Sequence, residues 1–132
     1  MCACSGGKLR KILYASDRRV ASVILLGKYD DRKIIENFYS PSDRREDVYP
    51  QLLAGWDRSP RSGRRAIIYH NNTPEAFGVS VEKALECVKD KQPEHRILFL
   101  NSWNEWGEGA YMEPDLRYSK AKLEILKRAL SE

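Results

Sequence analysis

Ala66–Asn101 reads AIIYHNNTPEAFGVSVEKALECVKDKQPEHRILFLN, and the order of its patterns decides the fold class. AIIYH (Ala66–His70) is a short apolar run of β-branched and aromatic residues, which favour a strand. Thr73 then has the profile of an N-cap. Pro74 follows at the first helical position, and Glu75 lies in the first turn, where the helix dipole favours an acid. Phe77, Val81, Ala84, Leu85 and Val88 recur at steps of three and four, which predicts a helix with one buried stripe ending before Pro93. RILFLN (Arg96–Asn101) is apolar almost throughout, the pattern of a strand buried on both faces. Strand, helix and strand in that order predict α/β architecture with parallel strands.

The pattern extends in both directions. Val48–Trp56 (VYPQLLAGW) predicts a strand entered at a proline, and it empties into the turn-rich loop Asp57–Arg65 (DRSPRSGRR). Asp31–Tyr39 carries Ile34, Ile35 and Phe38 at helical spacing, with Pro41 as a stop, and Ser40–Val48 is charged and loop-like. Val20–Leu26 (VASVILL), bounded by Gly27, fits a buried strand or a helix end, while Met1–Arg19 shows no clean period. Leu123, Leu126 and Leu130 predict a closing amphipathic helix. No internal repeat or low-complexity tract interrupts the chain.

Composition narrows the function classes. The 132 residues have room for one ordinary domain, and 42% hydrophobic content with three Trp and seven Tyr excludes wholesale disorder. With 23 basic and 19 acidic residues the net charge is only +4, far from the concentrated field of a nucleic-acid binder. Cys2, Cys4 and Cys87 form no spaced framework. They read as reduced thiols of a cytoplasmic protein, with no metal and no cofactor implied. No signal peptide or transmembrane segment is expected, since the longest apolar run falls well short of the ~20 residues a bilayer demands.

The chemistry concentrates directly after the RILFL strand. Asn101–Pro114 reads NSWNEWGEGAYMEP and gathers Trp103, Asn104, Glu105, Trp106, Glu108, Tyr111 and Glu113. Glycosidic chemistry needs two carboxyl groups, one to take a proton and one to give it. If the chain turns helically at Glu105–Glu108, the side chains start ~5–6 Å apart, close to the ~5–5.5 Å separation of retaining enzymes. Crowding raises the pKa of one of two such carboxyls, which supplies the acid. Gly107 and Gly109 permit a tight turn, and Trp103, Trp106 and Tyr111 offer faces for a sugar ring. The plainer reading is that paired loop glutamates are solvated and that tryptophans at a strand end pack a core. Aromatic density at a strand end, where α/β folds bind ligands, weighs against it.

The same segment, WNEWGEGAYMEP followed by DLRYSKAKLEILKRAL, resembles the C-terminal end of the WbsX-type glycosyltransferase family. That family is related to glycoside hydrolase family 99, the endo-α-mannosidases, whose equivalent motif reads NEWHEG. YPQLLAGWDRSPRSG and NNTPEAFGVSVEKAL resemble the family's P-x-W-D-N-T-P-R and T-P-E-x-F segments, so the resemblance covers Tyr29–Leu130 and leaves residues 1–28 unmatched. It implies the last third of a (β/α)₈ TIM-type barrel, incomplete in this chain, with Arg96–Asn101 as the final strand and the site at its C-terminal face. By the same resemblance Glu105 is the base acting on a sugar 2-hydroxyl and Glu108 the acid to the leaving oxygen. Trp56, Asp57 and Arg61 contribute substrate contacts. The chain departs from the family at Gly107 (His in the mannosidases), at Arg58–Ser59 (Asn–Thr) and at Ser119 (Gly). The expected role is transfer or hydrolysis of α-linked sugars such as mannose in surface polysaccharide or lipopolysaccharide O-antigen assembly. The partner is a glycan or sugar donor. The alternative is a non-catalytic carbohydrate-binding or scaffold remnant.

Other residues read more plainly. Arg44, Arg45, Arg58, Arg64 and Arg65 fit a solvated loop better than a phosphate grip. His70 and His95 fit structural or surface roles, and Cys87 fits a buried thiol. Glu113–Asp115 fits sugar binding and capping of the last helix equally well.

Overall fold

A computed structural model describes residues 27–131 of the chain. The Val20–Leu26 run and the irregular start therefore lie outside the described residues. Two parallel strand pairs and three substantial helices make up the mixed α/β fold. β1 (Gly27–Asp30) pairs with β3 (Ile67–His70) in register Gly27↔Ile67 to Asp30↔His70. β2 (Gln51–Leu53) pairs with β4 (Phe99–Asn101) in register Gln51↔Phe99 to Leu53↔Asn101. Parallel strands joined by helices are as expected, but partners skip a strand in sequence, and the described residues form no closed barrel. Residues 56–58 join the two pairs by lying antiparallel to β3: Tyr69 N donates to Trp56 O at 2.8 Å and Arg58 N to Ile67 O at 3.3 Å.

The helices follow their sequence signals. α1 (Asp31–Phe38) starts where the Asp30 carboxylate accepts from Arg32 N at 3.0 Å. α2 is a single turn, Ser59–Ser62, with Arg58 at its N-cap position; Asp57 Oδ1 accepts from Ser59 N at 2.8 Å just before it. The loop reading of Asp57–Arg65 is thus corrected to a helical turn followed by a 3₁₀ turn, Gly63–Arg65. α3 (Pro74–Val88) has Thr73 as its N-cap, with Oγ1 accepting from Ala76 N at 3.2 Å. It buries Phe77, Val81, Ala84 and Val88, four residues of the predicted stripe. α4 (Ala121–Ala129) closes the chain and packs Leu123, Ile125 and Leu126 against the core. Leu130 is exposed rather than part of that face, because the helix has ended one residue earlier.

The core is a cluster of Leu52, Ala54, Phe77, Val81, Ala84 and Met112, with α3 between β2 and α4. Two strand readings need correction. The Val48–Trp56 strand is confined to Gln51–Leu53, since Gly55 takes a φ of +150° and turns the chain out of the ladder. RILFLN contributes only Phe99–Asn101 to a ladder, and it is not buried on both faces: Phe99 is 58% exposed. At the strands' N-terminal end, buried Lys91 donates to Val48 O, and His95 Nδ1 lies 2.9 Å from the Tyr49 hydroxyl. His95 is accordingly structural.

Candidate functional site: a carboxylate and aromatic turn at the strand ends

β4 ends on Asn101, and the chain there enters a small antiparallel hairpin of β5 (Asn104–Glu105) and β6 (Ala110–Tyr111). Ser102 ties its base together, accepting from Glu105 N at 3.0 Å and donating to Ala110 O at 2.6 Å. The tip, Trp106–Glu108, is a 3₁₀ turn with Glu105 at its N-cap position, so the chain does turn helically between the two glutamates. Gly109 closes it at φ +62°, a left-handed conformation that favours glycine. Gly107 matters differently. A Cβ there would lie 3.0 Å from Glu105 Oε1, so the bare backbone leaves room for that carboxylate.

Glu108 points to the arginine-bearing turn. Arg61 Nη1 donates to Glu108 Oε1 at 2.7 Å, and Arg58 Nε lies 3.4 Å from the same oxygen. The Glu108 side chain is 13% exposed while both arginines face solvent. Bonding to Glu108 raises the Arg61 pKa further, with the charges of Glu108 and Glu105 adding to it. Arg58 also stands 5.9 Å above the Trp56 ring. The backbone reinforces this approach: Asp57 N donates to Glu108 O at 2.6 Å, and Gly109 packs against Asp57. Asp57 itself spends a carboxylate oxygen on Ser59 N.

The aromatic residues divide into two groups. Trp106 stacks on Tyr111 with ring centroids 3.8 Å apart and planes 11° from parallel, and its Nε1 donates to Glu113 Oε2 at 2.5 Å. Trp106 remains 48% exposed, which leaves the face opposite Tyr111 open. Tyr111 is the support of this platform rather than a second open face, and its hydroxyl donates to Asp115 Oδ2 at 3.1 Å. Trp103 and Asn104 are exposed on the hairpin. Glu113 fixes the indole, whereas Asp115 accepts from Arg117 N and Tyr118 N and so caps the turn before α4, whose own N-terminus has no side-chain cap. His70, exposed at the end of β3, lies beside Asp30 and not at the turn. Cys87 is buried, and burial pushes its thiol pKa up.

Beneath the turn runs a polar chain that the sequence reading missed. Lys122 of α4 donates to Ala54 O at 2.5 Å and to Asn72 Oδ1, and Asn72 Nδ2 donates to Asp31 Oδ2 at 2.9 Å. Asp31 Oδ1 is buried with no hydrogen-bond partner among the described residues. The chain thereby links the residues just after β1, β2 and β3 to α4. Lys122 precedes Leu126 by four residues, so it shares the packed face of its helix; that spacing is the signal that marks it. Among the described residues no group of three His, Cys, Asp or Glu is placed to hold a metal ion, and no helix is long and apolar enough to cross a membrane.

The described residues thus form an α/β fold that carries a carboxylate, arginine and indole turn beyond its strand ends, the place where such folds bind ligands. The chain belongs to the family described as glycosyltransferase WbsX, which matches residues 7–126 and so extends upstream of Tyr29. It is 32% identical over 104 residues to a protein of Xanthomonas campestris pv. campestris strain B100 named "Uncharacterized protein WxcX", covering 78% of this chain and 15% of the relative. Against the protein of that name in strain ATCC 33913 it is 35% identical over 85 residues, or 64% of this chain and 12% of the relative. The chain thus spans a minor part of the length of either relative. No solved structure matches it significantly.

Proposed function

We propose that the Glu105–Glu108 turn is the carboxylate site of a glycan-active enzyme acting on α-linked sugars such as mannose during surface polysaccharide or O-antigen synthesis, in the cytoplasm. The supporting observation is the juxtaposition of Glu108, held by Arg61 at 2.7 Å, with the half-open indole of Trp106 on the same 3₁₀ turn. In this reading a sugar stacks on the open face of Trp106, on the same turn that carries both glutamates. Glu105, exposed and with room left by Gly107, serves as the base. Glu108 exchanges a proton or charge with the leaving group. Trp103, Asn104, Trp56, Asp57, Arg61 and Glu113 complete or support the sugar contacts. In this reading the strands are the last part of a (β/α)₈ barrel, whose site lies at the C-terminal face.

Turnover of α-mannosides or transfer from an activated mannose, followed in the chain and in Glu105→Gln and Glu108→Gln, tests the assignment. Loss of at least about a hundredfold in rate for Glu105→Gln is expected of a catalytic base. Unchanged turnover in both variants would falsify it. The Trp106–Tyr111–Glu113 platform does not depend on either catalytic glutamate, which favours a carbohydrate-binding role as the second reading. Sugar binding that persists in both variants without any turnover selects that second reading.

A further inference from the structure

We propose that Lys122 is the positioning residue of the sugar platform: it holds the Tyr111 ring, and through that ring the half-open indole of Trp106, in place relative to the strand ends. The ligand in this role rests on the glycan reading; the placing of the rings does not. Lys122 Nζ lies over the Tyr111 ring, 5.9 Å from its centroid, and Trp106 stacks on that ring at 3.8 Å. The same ammonium lies 6.0 Å from the ring centroid of Phe77, a fully buried core residue. A cation is attracted to the electron-rich face of an aromatic ring, more strongly where water is excluded. Two of its three N–H donors go to Ala54 O and Asn72 Oδ1. Asn72 in turn donates to Asp31, so a single cation is tied to the residues that follow β1, β2 and β3.

The hydrogen bonds of the platform do not supply this tie. Trp106 Nε1 donates to Glu113 and the Tyr111 hydroxyl to Asp115, and both acids follow the rings in the same segment. Those bonds fix the rings to their own hairpin and the turn after it. Lys122 joins Tyr111 to α4 and to the loops beyond β2 and β3. Its charge is opposed by Asp31 and by Asp115, the acid that also holds the Tyr111 hydroxyl. Replacing a whole buried polar set by apolar residues is often neutral or stabilising, so packing alone gives little reason for a lysine among these groups.

Nuclear magnetic resonance of the full chain tests the role with two readings: nuclear Overhauser contacts between the Trp106 and Tyr111 rings, and titration with α-mannobiose. In Lys122→Met the ring contacts are expected to weaken and α-mannobiose affinity to fall about tenfold, which corresponds to ~1.4 kcal/mol. Asn72→Ala removes one tether and leaves the ammonium, so its loss of affinity should be smaller, about threefold. Lys122→Arg keeps the charge and is expected to retain most of both readings. Circular dichroism establishes that each variant is folded, and Asn72→Ala with Lys122→Arg decides the matter if Lys122→Met does not fold. A lysine with a merely structural role lowers the unfolding midpoint but leaves both readings of the folded chain as in the parent. Ring contacts and affinity unchanged in the folded variants therefore overturn the positioning role. Loss of the ring contacts with no sugar binding in any chain, or with affinity unchanged, overturns the glycan reading of the platform alone.

Discussion

Asp31 and Lys122 face opposite demands. Burial raises the Asp31 carboxyl pKa above its ordinary 3.8 and lowers the Lys122 amine below 10.5, while Asn72 connects the two. Between 3.8 and its raised value, the folded chain keeps a proton on Asp31 that the unfolded chain has released. Raising pH through that window therefore lowers stability. Lys122 acts in the other direction at alkaline pH: between its lowered value and 10.5 the unfolded chain holds the extra proton, so stability rises with pH there. Urea unfolding from about pH 4 upward should show the Asp31 contribution as a decline of at most ~1.4 kcal/mol per pH unit. Asp31→Asn removes that decline. Parallel curves for the chain and the variant would show that Asp31 does not titrate on unfolding as argued. Lys122→Met is expected to cost ~2–4 kcal/mol, because it leaves the carbonyl of buried Ala54 and the half-buried Asn72 Oδ1 without their donor.

At the scale of elements, the hinge between β2 and the segment beside β3 depends on Gly55. Its φ is +150°, and an added Cβ would sit 2.5 Å from the carbonyl oxygen of Gly109, which is backbone and cannot turn away. Gly55→Ala should lose at least ~2 kcal/mol of stability and push the Gly109 end of the carboxylate turn outward. Chemical denaturation reads the first effect, and Trp106 fluorescence reads the second. A variant with an unshifted midpoint and spectrum would mean that the two segments do not pack as described.

What the sequence disclosed follows the same division. Thr73–Val88 was legible because cap, proline and apolar stripe are local signals that agree with one another. The bend at NEWGEG entered the sequence reading only as a condition, and the 3₁₀ turn over Trp106–Glu108 meets it. β1 was not legible. GKYD has no apolar pattern and forms a strand only because β3 offers it a ladder, a contact about forty residues away in sequence. The pairing of Glu108 with Arg58 and Arg61 was hidden likewise, for it depends on how two loops meet.

At the scale of the whole molecule, the described residues present two short parallel strand pairs whose flanks are incompletely covered. Parallel strands are ordinarily buried on both faces, yet Ile67, Ile97 and Phe99 are 41%, 44% and 58% exposed. The outer edge of a two-stranded pair generally invites another strand, and residues 56–58 take that place beside β3. The matched segments make up 15% and 12% of the two Xanthomonas relatives, so polypeptides of this family carry ample additional chain that could cover such edges. The described residues leave these three apolar side chains open, so the 132-residue chain should associate with itself as concentration rises. Phe99→Lys places a charge at the most exposed of the three positions, a substitution that edge strands tolerate. Burying a phenyl ring is worth ~1.5–3 kcal/mol, so the variant should weaken association by about tenfold or more. Sedimentation velocity across a range of concentrations measures both species. A chain that stays monomeric throughout, or a variant that associates as strongly as its parent, would place the sticky surface elsewhere.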